Sequence, residues 1–264
     1  MTDFRNRTAL VTGASSGIGA AFAEALAAHG ADLVLAAPSE ERLRPVAERL
    51  RALHGARVWA VPVDLAREDG PDLLVEQARA ATGDAVDVLV NNAGFGTYGR
   101  YEELPADRDH REVMLDVVAV ERMTHLLLPA MVERGRGTVV NVSSTSGFQA
   151  VPYMAVYGAS KAFVLSYSIA LWAEYRSRGV QVLAVCPGPT DTHFFDVLGR
   201  RMSAGGRLRT TDEVVTAAFR GLDRGLPYVI DGRLNYLTSN ASRLLGRGLV
   251  AGITARTLRP RGNP

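Results

Sequence analysis

Short apolar runs alternate with longer stretches of helical spacing along the whole chain. The short runs cover residues 8–11, 32–36, 58–61, 86–90, 138–142, 180–185 and 228–230, and each reads as a strand. They are continuously apolar rather than alternating, which marks burial on both faces and so a parallel sheet covered by helices on each side. The stretches 20–28, 40–53, 72–81 and 159–178 repeat their apolar residues at helical spacing and read as helices. Strand–helix alternation from end to end predicts an α/β, doubly wound fold. It would be a mostly seven-stranded parallel sheet in three layers, α/β/α, forming a single domain over residues 1–264.

Two segments depart from this rhythm. Residues 190–210, with Gly199, Gly205, Gly206 and several arginines, read as a substrate loop following a late strand, well placed to act as a lid. The tail 235–258 is helical, basic and partly apolar through Leu237, Leu244, Leu245, Leu249 and Val250. Packing on the domain is the preferred reading of it; supporting a dimer or touching a membrane surface are the alternatives.

Composition changes little in this picture. The 264 residues are 47% hydrophobic and 22% charged, as in ordinary globular domains. A formal charge of +2 gives no reason to expect nucleic acid as a partner. The one cysteine, Cys186, ends an apolar run and reads as a buried structural thiol in a reducing compartment. Met1 to Arg7 are followed by no apolar stretch of signal-peptide length, and no window is apolar enough to cross a bilayer, so a cytoplasmic location is expected. The histidines share no metal-ligand spacing, and no metal is expected.

The first strand runs into Gly13-Ala14-Ser15-Ser16-Gly17-Ile18-Gly19 and then into a helix. Glycines let a backbone turn sharply against a pyrophosphate, and the amides of the helix N-terminus supply donors and partial positive charge. A glycine-rich turn in this strand–helix setting points to a Rossmann-type dinucleotide site at Gly13, Ser15, Ser16, Gly17, Ile18 and Gly19.

The Gly-x-x-x-Gly-x-Gly spacing resembles the short-chain dehydrogenase/reductase family, in its compact single-domain branch. Further motifs follow in order: Asp64, Asn91-Asn92-Ala93-Gly94, Ser144, Tyr157-x-x-x-Lys161 and Pro187-Gly188. The resemblance implies that Asp64 and Leu65 flank an adenine, with the Asp64 carboxylate accepting from its amine. It implies that Asn91, Ala93 and Gly94 line the cofactor, and that Pro187, Gly188, Thr190 and Thr192 hold the nicotinamide carboxamide. A homodimer or homotetramer, formed through the helices carrying Asp116 and Tyr157, is expected on the same ground.

Tyr157 and Lys161 are four apart on a helix and so project from one face. A phenol with a pKa near about 10 is a poor base at neutral pH, and a neighbouring ammonium is expected to lower it. A shift of about two to three units corresponds to roughly 3–4 kcal/mol, within reach of a close cation in a partly desolvated site. By the resemblance, Tyr157 is the general acid/base, Ser144 holds the substrate oxygen, and Lys161 binds the ribose and tunes Tyr157. Ser143 is expected to point to the other side of its strand.

Two positions differ from the family pattern. Asp116 stands where the family has an asparagine that holds a water beside the lysine. An ionised aspartate accepts but does not donate, and it would partly neutralise Lys161 and weaken its pull on Tyr157; alternatively Asp116 keeps the asparagine's role by its similar shape. After the second strand, Ala37 removes the carboxylate that favours NAD, and a 2′-phosphate can sit by Ser39 and Arg42. NADP(H) is therefore expected ahead of NAD(H). Phe95, Gln149, Met154, His193 and Phe194 are candidates for the substrate pocket.

The leading expectation is an NAD(P)-dependent oxidoreductase, a ketoreductase or dehydrogenase moving hydride between the nicotinamide and a carbonyl or secondary alcohol. The alternatives are a cofactor-binding protein with little or no turnover, and an epimerase or dehydratase. The length leaves no room for the extra substrate domain of the last class.

Overall fold

The computed structural model describes residues 3–83, 86–192, 208–241 and 245–260. Seven strands form one parallel sheet: β1 (Thr8–Thr12), β2 (Asp32–Ala37), β3 (Val58–Pro62), β4 (Val88–Asn91), β5 (Gly137–Val142), β6 (Val180–Cys186) and β7 (Tyr228–Ile230). Their order is β3-β2-β1-β4-β5-β6-β7, so the chain reverses direction across the sheet between β1 and β4. Open sheets of this kind bind ligands in the crevice at the carboxyl ends of the strands, at such a reversal.

Helices α1 (Gly17–Ala28), α2 (Glu40–His54) and α7 (Thr211–Asp223) cover one face through Phe22, Leu26, Leu43, Leu50, Val214 and Phe219. Helices α3 (Gly70–Thr82), α5 (Ala119–Glu133) and α6 (Ala155–Tyr175) cover the other, where Leu74, Met123 and Met131 are fully buried. The continuous apolar strands are thus buried between two helical layers, as their sequences require.

The elements differ from the sequence reading mainly at their starts. Helix α6 begins at Ala155, four residues before the amphipathic signal, so Tyr157 lies in its first turn. Helix α1 begins at Gly17, where glycine hides the periodicity. Between α4 (Ala106–Val113) and α5 the helix widens into a π-turn over Met114–Val118. Such wide turns are frequent at functional sites, and this one carries Asp116.

The basic tail divides into α8 (Arg233–Ala241) and α9 (Arg247–Thr257). Only one side of it packs: Val250 is buried, and the Tyr98 hydroxyl donates to the Leu258 carbonyl at 2.8 Å. Leu234, Leu237, Leu245, Leu249 and Ile253 remain exposed, so packing on the domain accounts for the tail only in part. Leu244 lies outside the described residues. Among the described residues no helix is long and apolar enough to cross a membrane.

Candidate active site

Strand β5 and helix α6 bring three of the expected groups together at the carboxyl edge of the sheet. Ser144 leaves β5 extended; its hydroxyl accepts from the Ser146 amide at 3.1 Å and also hydrogen-bonds the Tyr157 phenol. Ser143 turns to the opposite side, as the pleat requires, and donates to the Lys161 carbonyl at 2.7 Å. One turn beyond Tyr157, the Lys161 ammonium lies 5.6 Å from the Tyr157 ring centre. Both side chains are buried.

Asp116 meets this group from the π-turn. Its Oδ2 is 2.8 Å from Lys161 Nζ and its Oδ1 accepts from the Phe95 amide at 3.2 Å. Lys161 also donates to the Val142 carbonyl at 3.3 Å. The aspartate therefore takes the lysine directly. This ion pair has consequences for both partners: burial raises the Asp116 carboxyl above its ordinary range, against the pull of Lys161. Burial alone would lower the lysine, but the Asp116 carboxylate, with Tyr157 and Glu112 adding to it, outweighs burial and holds Lys161 charged. Burial pushes the Tyr157 phenol above its ordinary range, against the pull of Lys161 and the Ser144 hydrogen bond. The expected depression of the phenol is thus reversed in the protein alone, because desolvation of an ionised phenol outweighs one partly neutralised ammonium.

The phosphate loop has the shape its glycines imply. Gly13 sits at φ +64°, and a side chain there would come within 2.7 Å of Asn92 Nδ2 and 2.9 Å of Ala93 Cα. Gly17, at φ +57°, lies opposite Thr192: a side chain there would come within 3.3 Å of the Thr192 Cγ2. Ser15 and Ile18 are half-buried, Gly19 is buried, and Ser16 opens α1 without capping it. The first amides of α1 thus lack a side-chain acceptor, which suits an incoming phosphate.

Asn92 and Thr12, missed by the sequence reading, hold this loop in place. The Asn92 amide donates to the Thr12 carbonyl at 2.9 Å and the Gly13 carbonyl at 3.3 Å, while Thr12 Oγ1 accepts from the Asn92 and Ala93 amides. Asn91 turns its side chain inward. Its side chain donates to Asn141 Oδ1 at 2.9 Å and Thr124 Oγ1 at 3.1 Å, so it is buried beneath the crevice and ties β4 to β5 and α5. Ala93 and Gly94 follow at the strand end, with Gly94 exposed.

Asp64 already has partners: its Oδ1 accepts from the Ala66 amide at 3.0 Å and its Oδ2 from Arg111 at 2.8 Å. Leu65 is buried in the core. Ser39 caps α2, accepting from the Arg42 amide at 3.3 Å. Beyond β6, the Pro187 carbonyl accepts from the Thr145 amide at 3.0 Å and the Gly188 amide donates to Asp231 at 2.7 Å. Thr190 and Thr192 donate to the Gly188 and Thr190 carbonyls respectively. Asp231, fully buried, also pairs with Arg209 at 3.0 Å; neither residue was singled out in the sequence, because their partners lie on distant segments.

Of the pocket candidates, Phe95 sits under the Arg108 guanidinium and Gln149 is half-buried after the turn Thr145–Phe148. Met154 is buried against Val151 and Tyr157. His193 and Phe194 lie outside the described residues. A cleft of about 790 Å³ between α7, β7 and α8 is lined by none of Ser144, Tyr157 and Lys161. The Cys186 thiol is buried and pushed up to about 12 by burial, an inert core group.

A glycine cradle, an uncapped helix N-terminus and a serine–tyrosine–lysine group thus share one edge of a doubly wound sheet. The sequence pattern described as short chain dehydrogenase matches residues 7–202. The chain belongs to that family. It is 37% identical over 183 residues to the very-long-chain 3-oxoacyl-CoA reductase of Homo sapiens, covering 68% of this chain and 58% of that one. The chain thus aligns with little more than half of that relative's length. Among solved structures, a short-chain dehydrogenase from Sphingobium yanoikuyae in complex with NADPH superposes with a TM-score of 0.81 at 33% identity, covering 97% of this chain and 98% of that one. A short-chain dehydrogenase/reductase from Burkholderia phymatum in complex with NAD gives 0.82 at 27% identity, covering 92% and 95%. The family and these neighbours support a nicotinamide dinucleotide at this site, and the cradle at Gly13 and Gly17 fits one.

Proposed function

We propose that this protein is an NAD(P)-dependent oxidoreductase that interconverts a ketone and a secondary alcohol. The observation that carries the reading is the buried group of Ser144 hydroxyl, Tyr157 phenol and Lys161 ammonium at the edge where the glycine loop opens. The phosphate loop and the Pro187–Thr192 turn would hold the dinucleotide from opposite sides. When bound, that group supplies or accepts the hydride. In reduction, Ser144 donates to the substrate oxygen and Tyr157 delivers the proton as charge develops there. In oxidation, Tyr157 accepts the proton, with Lys161 stabilising the phenolate. NADP(H) is the preferred cofactor: β2 ends in Ala37 without a carboxylate, and α2 presents its N-terminus close behind. The named activity of the human relative and the apolar side chains on α8 and α9 favour a ketone carrying a bulky apolar chain, such as a 3-oxoacyl thioester.

A homo-oligomer formed through α4, α5 and α6 suits the exposed apolar residues there, Val113, Val118 and Phe163. A second reading, cofactor binding without turnover, draws on the Asp116–Lys161 ion pair, which ties up the lysine that should tune the phenol.

The test is the loss of reduced-nicotinamide absorbance on adding a panel of ketones and 3-oxoacyl thioesters, beside Tyr157→Phe. Turnover that falls at least about 100-fold in the variant, with cofactor affinity within a few-fold of the parent, is expected. Tight cofactor binding with no turnover on any substrate would move the assignment to the binding reading.

A further inference from the structure

Glu112 lies on α4, four residues before Asp116, and is fully buried. Its Oε2 is 2.8 Å from Thr97 Oγ1, and the same hydroxyl is 2.9 Å from Asp109 Oδ1. Glu112 Oε1 has no hydrogen-bond partner among the described residues.

A threonine hydroxyl has one proton to donate. With both carboxyls ionised, one of these short contacts would set an anionic oxygen against a lone pair. Two buried carboxylates, Glu112 and Asp116, would also bear on one ammonium, Lys161. A proton on Glu112 removes both conflicts: the acid donates to Thr97 Oγ1, and Thr97 donates to Asp109. Glu112 is the acid that holds it, because it is sealed inside with one oxygen bare.

We propose that Glu112 is a positioning residue held protonated beside the Lys161–Asp116 ion pair, and that its ionisation sets the basicity of the Tyr157 phenol. The inference rests on the acid–base reading of Tyr157. The groups bearing on Glu112 are Asp109 on its own helix, Asp116 in the π-turn, Thr97 in the loop after β4, and Lys161 and Tyr157 from α6. Burial, with the charges of Asp116 and Asp109 adding to it, pushes Glu112 up to about 7. Its negative charge in turn raises both Tyr157 and Lys161. Loss of the Glu112 proton therefore disfavours the phenolate: alcohol oxidation, in which Tyr157 accepts a proton, is suppressed, and reduction, in which Tyr157 gives one, persists to higher pH.

The experiment has two arms, each run on the parent and Glu112→Gln. The first follows the protonated-carboxyl stretch by infrared difference spectroscopy on the full-length protein without substrate, from about pH 5 to about pH 9. The parent should show a band lost near neutrality; Glu112→Gln should lack it. The second arm reads kcat/KM for alcohol oxidation against pH, where Glu112→Gln should move the rising limb to lower pH by about half a unit or more. A parent without the band, or superimposable limbs in parent and Glu112→Gln, overturns the proposal. Should no substrate turn over, the functional reading fails by itself, and the infrared arm still decides whether Glu112 holds a proton.

Discussion

At the scale of single residues, the site is governed by how many carboxylates share one lysine. Asp116 contacts Lys161 at 2.8 Å with both side chains buried, where charges are weakly screened. Asp116→Asn removes that negative charge while keeping the shape. Lys161 then pulls harder on Tyr157, so the rising limb of oxidation should move to lower pH and turnover at neutral pH should increase about threefold or more, read from pH–rate profiles. An unchanged profile would mean that Asp116 acts only through its shape. Glu112 makes a second prediction, on stability. Its carboxyl is raised from 4.5 to about 7 on folding, mainly by burial. The folded state thus binds more protons than the unfolded chain between those values, so the group supports the fold at low pH and its contribution is lost as pH rises through 7. Glu112→Gln should therefore melt close to the parent near about pH 4 and above it beyond about pH 7, by an amount worth about 3 kcal/mol at most. Melting curves that run parallel across the range would contradict this.

At the scale of elements, the crevice is built by joins between strand ends. The turn after β1 is pinned by Asn92 and Thr12 from both sides, so its path is fixed before any ligand arrives. Gly13→Ala tests that join, since the new methyl meets Asn92 and the Ala93 backbone from a left-handed conformation. It should cost roughly 1–3 kcal/mol in denaturant unfolding and weaken dinucleotide binding at least about tenfold. Equal affinity for the cofactor in this variant would show that the loop does not approach the pyrophosphate. The turn after β1 was legible in the sequence because glycine spacing is local. Its clamp was not: Asn92 stands in a motif, but its contact with Thr12, 80 residues away, is not written in local spacing.

At the scale of the whole molecule, two helical layers enclose the sheet, and Phe4 closes one of them. It is fully buried, its ring centre 5.6 Å from that of Phe219 on α7, which also meets Phe22 of α1. Phe4→Ala should cost roughly 3–5 kcal/mol, seen as a lower denaturation midpoint, without changing the pH profile of turnover, because the cavity opens far from Tyr157. A stability loss below about 1 kcal/mol would show that the N-terminal segment does not pack as described.

The sequence by itself determined the parallel sheet, its helical cover, the phosphate turn and the pairing of Tyr157 with Lys161. Each of these is written in local spacing: continuous apolar runs, clustered glycines, two side chains one helical turn apart. Tertiary structure decided which charges meet inside. Asn91 turned away from the crevice toward Asn141, Asp116 took Lys161 directly, and Thr97 joined Asp109 to Glu112. Local periodicity tells whether a side chain is buried, but the energy of a buried charge depends on groups brought beside it from distant segments, where water no longer screens them.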